Sequence, residues 1–177
     1  WIFQMNKRTI KIEKIININE YVNAFKNEIK KIQEIPKMPD CEFTQIGATS
    51  KEGLYGEKIL DILVVVENLH EITTFDEKRL NNIKYHRIAH NGIKGIIKYA
   101  RLTDYFSMSY DVVLYIVQRG TDIHQDFLRF KEVFNNENLI EEYNKFKSEN
   151  CVSSYKEYSL NKLEFINKMI KRIEKDV

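Results

Sequence analysis

One short turn in the chain has the residue types of an anion-binding loop, the tetrapeptide Gly47-Ala48-Thr49-Ser50. The stretches on either side have strand composition: Cys41 to Ile46 and Ile59 to Val66. Gly47 can adopt backbone angles that other residues avoid, while Thr49 and Ser50 offer hydroxyl and backbone N–H groups where a helix could start. Because a strand-to-loop transition leaves backbone donors free, we expect the tetrapeptide to hold an anion at the mouth of a pocket.

The second of these stretches contains a single charge, Asp61, among apolar residues. Burying a lone carboxylate is costly unless something compensates it. Asp61 therefore needs a partner or a metal ion, which makes it the first candidate catalytic and metal-binding residue. The alternative is a structural carboxylate that pairs with backbone N–H groups or with a basic side chain.

A second candidate catalytic carboxylate, Asp111, lies in a later strand-like stretch, Ser109 to Gln118. Strand alternation places it on the face of Val113 and Tyr115, and a neighbouring strand could bring it near Asp61. The alternative places Asp111 at the solvent end of a hairpin.

The segment from Arg79 to Arg101 is basic and contains no acid. Its lysine and arginine residues are Arg79, Lys84, Arg87, Lys94, Lys98 and Arg101. Strand alternation puts Lys94 and Lys98 on one face. It puts Tyr99 and Arg101 on the other, so at most one of the two pairs should border one pocket. These charges could bind phosphates, or they could protect a solvated sheet edge.

The turn and the strand after it carry a family resemblance. The residues concerned are Gln45-Ile46-Gly47-Ala48-Thr49-Ser50, Gly53-Leu54 and Ile59-Leu60-Asp61-Ile62-Leu63. This arrangement resembles the GrpB family of the polymerase-beta-like nucleotidyltransferase superfamily, whose usual form is His-Val-Gly-Ser-Thr-Ala-Val-Pro-Gly-Leu, then Lys-Pro and an Ile-Asp-Ile strand. The family's helical tyrosine and lysine positions look like Tyr143, Lys147, Tyr155 and Lys162.

The resemblance implies a nucleotidyltransferase-like fold and a magnesium-dependent site. Enzymes of this superfamily use strand carboxylates to hold Mg²⁺ against a nucleotide triphosphate and to assist in-line transfer. The resemblance therefore implies that Asp61 binds the magnesium ion. The turn would hold the triphosphate, and Lys58, or Lys94 and Lys98 of the basic segment, would neutralise its charge. The expected ligand is a nucleotide or another phosphorylated small molecule.

Departures from the motif leave three functions open. The family's His, Ser and Lys fall on Gln45, Ala48 and Glu57, although Lys58 follows directly. Leu63 stands where the superfamily usually has a second acid, which the GrpB pattern also lacks. The chain could be a nucleotidyltransferase, a catalytically inactive ligand-binding module on the same fold, or an interaction protein that uses its helical face.

Hydrophobic periodicity predicts an α+β fold in which helices flank a mixed or antiparallel sheet. The predicted strands are Arg8 to Ile16, Cys41 to Ile46, Ile59 to Val66, and a hairpin of Lys94 to Leu102 with Ser109 to Gln118. The first predicted helix begins at a capping box of Asn17 and Glu20 and runs to about residue 34. Another covers residues 69–82. From Thr121 onward the apolar spacing becomes helical and predicts three C-terminal helices.

Length and composition fit one soluble domain. At 177 residues, 43% of them hydrophobic, the chain can bury a core. We assign residues 5–177 to this domain, starting at Met5, and take residues 1–4 as foreign to the native sequence. A net charge of +2 predicts no general attraction to nucleic acid or membrane. Cys41 and Cys151 lack metal-site spacing, and no run approaches the roughly 20 apolar residues of a bilayer span, so we expect a cytoplasmic protein.

Overall fold

A five-stranded mixed sheet forms the centre of the protein. The computed structural model describes residues 11–70, 77–88, 93–149 and 155–175, without the side chains of residues 155–159. Its strands are β1 Glu13–Lys14, β2 Cys41–Ile46, β3 Tyr55–Gly56, β4 Leu60–Val66, β5 Tyr85–Ile88, β6 Ile96–Asp104 and β7 Ser109–Gln118. The sheet has the order β2-β4-β7-β6-β5, in which β4 and β7 are parallel and the other neighbours antiparallel. Strands β1 and β3 pair separately.

Helices flank this sheet and end the chain, which confirms the predicted α+β fold with three C-terminal helices. The helices of the described residues are α1 Ile18–Gln33, α2 Glu77–Asn82, α3 Asp122–Glu132, α4 Glu137–Glu149 and α5 Tyr155–Lys175. A 3-10 turn occupies Ala48–Ser50. Among the described residues, none of these helices combines the length and apolar character that crossing a membrane requires.

The sheet is covered on both sides because the strands alternate apolar residues between two cores. On one side, Ile62 and Val64 of β4 pack with Ile32 of α1. On the other side, Leu63 of β4 packs with Phe127 of α3. We call these the α1 side and the α3 side of the sheet.

A β-bulge interrupts the pairing of β6 and β7 near the hairpin turn. Arg101 pairs with Val112. The next β6 residue, Leu102, pairs with Tyr110, which leaves Asp111 as an extra residue in β7. An extra residue of this kind re-aims its side chain. Asp111 therefore shares the α1 side with Arg101, whereas simple alternation predicted the α3 side.

The predicted capping box at the start of α1 does not form. Asn17 precedes the helix in a left-handed conformation, with a φ of 58°, and its side chain makes no capping hydrogen bond. Its backbone oxygen instead accepts a hydrogen bond from the Glu20 N–H at 2.9 Å. The prediction of the helix itself is confirmed, since its apolar face packs on the sheet.

The basic segment is organised differently from the prediction. Strand β6 begins at Ile96 because Gly95, with a φ of 79° that favours glycine, turns the chain just before it. Lys94 therefore lies exposed in a turn and does not share a strand face with Lys98. The segment also contains an unpredicted strand, β5. The helix predicted over residues 69–82 is seen at its end as α2, with residues 71–76 outside the described part of the chain.

Candidate ligand site

Asp61 lies near the start of β4, directly beside the Gly47 turn. The residue before that turn, Ile46, pairs with Asp61 across the two strands. Gly47 has a φ of 74° and a ψ of −164°, and a Cβ atom added there would lie 2.6 Å from Asp61 Oδ2. The position needs glycine both for its backbone angles and for the space that the carboxylate takes up.

Side chains from strands β7 and β6 lie next to this carboxylate. Tyr115 of β7 donates a hydrogen bond from its hydroxyl to Asp61 Oδ1 at 3.2 Å. Lys98 pairs with Tyr115 across β6 and β7, and its Nζ lies 5.0 Å from the centroid of the tyrosine ring. Tyr99 packs in the core of the α1 side, so alternation separates it from Lys98 as predicted.

Helix α4 brings a buried lysine to the same place. Lys147 is only 4% exposed, and its Nζ lies 5.3 Å from the ring centroid of Tyr143, one turn earlier. Asn144 fixes the helix on the loop that precedes β4. Its side chain accepts a hydrogen bond from the Tyr55 N–H at 3.0 Å and donates one to the Gly53 oxygen at 3.1 Å. The joined loop and helix hold Lys147 in place.

Helix α5 contributes the partly buried Lys162. Phe165, one turn later, stacks on Phe146 of α4 with centroids 4.4 Å apart and ring planes 7° apart. Phe146 directly precedes Lys147, so the stacked rings keep the two lysine-bearing stretches together. We refer to the assembled residues as the lysine site: Asp61, Lys98, Lys147 and Lys162, with Tyr115 and Tyr143.

The charges of the lysine site act on one another. Burial raises the pKa of the Asp61 carboxyl above its ordinary value, although all three lysines oppose the rise. Burial, followed by the charge of Lys162, lowers the pKa of Lys98 to about 8, although Asp61 opposes the change. Burial and then Lys162 also hold the pKa of Lys147 well below its ordinary value. The ammonium groups therefore repel one another around one carboxylate.

Two further groups respond to these charges. Glu57 adds to the rise in the pKa of Asp61 and opposes the fall in the pKa of Lys147. Burial, followed by the charge of Asp61, raises the pKa of the Tyr143 hydroxyl. Asp61 keeps partial contact with solvent, although protein atoms surround its carboxylate.

The rest of the turn is packed or bonded inside the protein. Thr49 is fully buried, and Ala48 packs in a core shared with α4 and α5. Ser50 Oγ donates a hydrogen bond to the Gly47 oxygen at 2.6 Å, and Gln45 Nε2 donates one to the Thr49 oxygen at 2.8 Å. The prediction that Thr49 lies at the mouth of a pocket is wrong, because Thr49 is fully buried, and Ala48 beside it packs against residues of α4 and α5. Of the tetrapeptide, Gly47 is the residue that borders the Asp61 carboxylate.

Asp111 is engaged by Arg101 on the α1 side of the sheet. The Nε and Nη2 atoms of Arg101 donate hydrogen bonds to the two carboxylate oxygens at 2.9 and 2.6 Å. Arg101 also pairs with Glu28 of α1, which is 3% exposed and accepts hydrogen bonds from Tyr85 at 2.7 Å and Lys31 at 3.0 Å. We call these five residues the arginine network. The bulge in β7 directs Asp111 to this network, so the structure does not bring it to the lysine site.

Two of the predicted ligand lysines lie away from the lysine site. Lys58 pairs with Glu13 at 3.4 Å, and its side chain is 60% exposed. Lys94 is exposed in the turn before β6. Among the lysines predicted to bind a ligand, Lys98 is the one that reaches Asp61.

The donors at the lysine site do not suit a resident magnesium ion. Mg²⁺ takes oxygen ligands in a near-octahedral arrangement, with one or two carboxylates and the phosphates of its substrate. Within the described ranges, no group of three or more His, Cys, Asp and Glu side chains could hold a metal ion. Asp61 instead shares its surroundings with three lysine side chains, which repel a divalent cation when they are charged. The residues present therefore do not fit the metal that the family resemblance implies.

The sequence prediction left four members of the lysine site out of its candidate residues: Tyr115, Tyr143, Lys147 and Lys162. Both lysines occupy helical positions that resemble those of the GrpB family. Lys147 also follows Tyr143 by four residues, which places it in the apolar stripe of α4. A lysine within a buried stripe is the signal that could have identified it.

Comparison with known proteins agrees with this architecture. The sequence model of the family described as GrpB protein matches residues 14–172. The glutamate-rich protein GrpB of Alkalihalophilus pseudofirmus is 26% identical over 133 residues, which cover 73% of this chain and 76% of that protein. The crystal structure of the conserved protein GrpB from Enterococcus faecalis superposes with a TM-score of 0.72 at 19% identity, over 91% of this chain and 98% of that one.

A lower similarity connects the chain to Cid1 poly(U) polymerase, with a TM-score of 0.44 and 12% identity over 69% of this chain and 37% of that one. The predicted architecture, a mixed sheet flanked by helices with three helices at the C-terminal end, is confirmed. The match over residues 14–172 shows that the chain belongs to the GrpB family.

Proposed function

We propose that the lysine site binds a nucleotide or another phosphorylated small molecule. The observation that carries this proposal is the convergence of Lys98, Lys147 and Lys162, from three separate elements, on one partly exposed carboxylate. Burial and mutual repulsion make each ammonium group costly in the absence of a ligand. An anion that enters the site offsets both costs.

A phosphorylated ligand suits this arrangement better than a singly charged one. A phosphate group offers several acceptor oxygens and more than one negative charge, so it can accept charge-assisted hydrogen bonds from several ammonium groups at once. The nucleotidyltransferase-like fold supports the same ligand class. The partial exposure of Asp61 and Lys162 leaves an approach from solvent.

Nucleotidyl transfer is the second candidate function. The place of Asp61 at the start of β4, next to the Gly47 turn, favours it, because superfamily enzymes carry a catalytic carboxylate on such a strand. The donors described above argue for binding as the primary function. Incubation with each nucleoside triphosphate and magnesium, followed by measurement of released pyrophosphate, tests transfer directly.

Calorimetric titration tests the binding proposal with the four ribonucleoside triphosphates and ribose 5-phosphate as probes. Lys98→Met keeps the length of the side chain and removes its charge, so we expect at least one of these probes to bind wild type and to bind this variant about tenfold more weakly. Lys94→Met is the matched control, since Lys94 is exposed in a nearby turn. The absence of binding to wild type, or an equal loss in both variants, would contradict the proposal.

A further inference from the structure

Three lysines from separate elements act on the Asp61 carboxylate at the lysine site. We infer that this site binds its phosphorylated ligand without a divalent cation, and that Lys98, Lys147 and Lys162 supply the neutralising charge. This inference rests on the proposed function. The ligand class is an uncomplexed phosphate monoester or polyphosphate with at least two negative charges.

The charge balance of the site supports this inference. The groups that act on one another include the ammonium groups of three lysines and the carboxylates of Asp61 and Glu57. These groups already sum to an excess of positive charge when all are ionised. A resident divalent cation would raise that excess in these partly desolvated surroundings, whereas a free phosphate would remove it.

The geometry around Asp61 supports the inference independently. Its Oδ1 accepts the hydrogen bond of Tyr115 at 3.2 Å. Its Oδ2 lies against Gly47, so close that a methyl group at that glycine would collide with it. Asp111 has both oxygens engaged by Arg101 on the α1 side. Asp61 and Asp111, the two carboxylates that the sequence analysis singled out, therefore do not form a metal-sharing pair.

The lysines reach the site from different directions, which suits a ligand with several charged oxygens. Lys98 projects from the sheet, Lys147 from α4 and Lys162 from α5. The ring stack of Phe146 on Phe165 keeps the two helices at a fixed separation. A preformed set of donors of this kind loses little conformational freedom when the ligand binds.

Titration with and without magnesium tests the inference. Wild type is titrated with adenosine triphosphate and with inorganic tripolyphosphate, once in EDTA and once in excess magnesium chloride. Because magnesium neutralises two charges of the ligand, we expect both probes to bind about threefold to tenfold more tightly in EDTA.

Asp61→Asn gives the inference a second test, since it removes a negative charge while keeping the shape. We expect this variant to bind tripolyphosphate in EDTA about threefold more tightly than wild type, because repulsion between carboxylate and ligand is lost. Glu52→Gln is the matched control, an exposed acid beyond the turn, and its affinity should not change. A metal-holding Asp61 predicts the opposite, a loss of binding in magnesium.

The outcomes distinguish this inference from the proposed function. Binding that requires magnesium, or that Asp61→Asn abolishes, overturns the inference and leaves phosphorylated-ligand binding intact. No binding of either probe to wild type in either buffer overturns both. Tighter binding in EDTA together with a gain in Asp61→Asn supports both.

Discussion

The two clusters of buried charge on opposite sides of the sheet differ in how their charges are balanced. In the arginine network, two carboxylates face two basic side chains, with hydrogen bonds of 2.6 to 3.0 Å between Arg101 and Asp111 and between Lys31 and Glu28. In the lysine site, three lysines act on Asp61, whose described hydrogen bond comes from a tyrosine. The charges of the first cluster are paired in the folded chain, and under the proposed function those of the second become balanced when an anion binds.

The comparison separates a structural role from a binding role. A buried charge with a hydrogen-bonded partner stabilises the fold only modestly, but losing that partner is costly. A buried charge without charge balance costs stability at all times, and a chain keeps it where a ligand offsets the cost. Replacements of single residues in the two clusters should therefore change stability in opposite directions.

The largest expected effect is a loss of stability in Arg101→Met. The change leaves the buried Glu28 and the partly buried Asp111 without their shared partner, so we expect a loss of about 3 kcal/mol in the free energy of unfolding. Urea denaturation measures it. Arg119→Met is the matched control, because Arg119 also pairs with two carboxylates, Glu42 and Glu67, but in an exposed setting. An equal loss in both variants would remove the contrast.

A somewhat smaller loss is expected from Gly47→Ala. The new methyl group meets Asp61 Oδ2, and the φ of 74° strains any residue other than glycine, so unfolding should become easier by about 2–3 kcal/mol. Gly53→Ala is the control: its φ is 85° but an added Cβ has nothing within 4 Å. It should cost about 1 kcal/mol, from backbone strain alone. Equal costs in thermal denaturation would mean that Asp61 does not restrict this turn.

Lys147→Met should change stability in the opposite direction to Arg101→Met. Burial disfavours the charged form of Lys147, so we expect its replacement by an apolar side chain to stabilise the protein by about 2 kcal/mol at neutral pH. Lys145→Met on the same helix is the control, with a side chain that is 76% exposed and little to gain. The melting temperatures of both variants measure this change. A Lys147→Met protein less stable than wild type would refute the contrast between the two clusters.

The smallest expected effect is the pH dependence that Lys98 contributes. Its pKa of about 8 in the folded protein lies below the ordinary value of 10.5, so the unfolded chain holds more protons between these values. Stability should therefore rise with pH through this window. The shift alone corresponds to roughly 3 kcal/mol at pH 7, but Lys98→Met also loses the contact of the ammonium group with the Tyr115 ring, so we expect a net gain of about 1 kcal/mol. That difference should vanish near pH 10.5. Urea titrations across the window measure it, and a constant difference would contradict the assignment.

The sequence predicted the central strands well because their signal is local. The run that became β4 is β-branched and of strand length, and the glycine-containing turn before it needs a positive φ at Gly47. The family motif covered these same residues. The fold class and the candidate status of Asp61 therefore followed from short stretches of sequence.

The remaining site residues depend on contacts between distant parts of the chain. The direction of Asp111 follows from a bulge whose position is set by pairing with β6. The burial of Ala48, next to the fully buried Thr49, requires contacts with α4 and α5. The periodicity of one segment cannot predict the bulge or the burial of the turn, because both depend on other segments. It places Lys147 on the apolar face of a helix but does not identify the residues that this face contacts.

The bulge at Asp111 also bears on how reliably the sheet can assemble. Since strand side chains alternate, a slip of β6 against β7 by one residue would send Lys98 into the apolar core of the α1 side and turn Tyr99 outward. Asp111 is the extra residue of the bulge, and its two hydrogen bonds from Arg101 form in only one alignment of the two strands. The ion pair thereby penalises every misaligned hairpin, and it sets the alignment that lets three distant lysines meet.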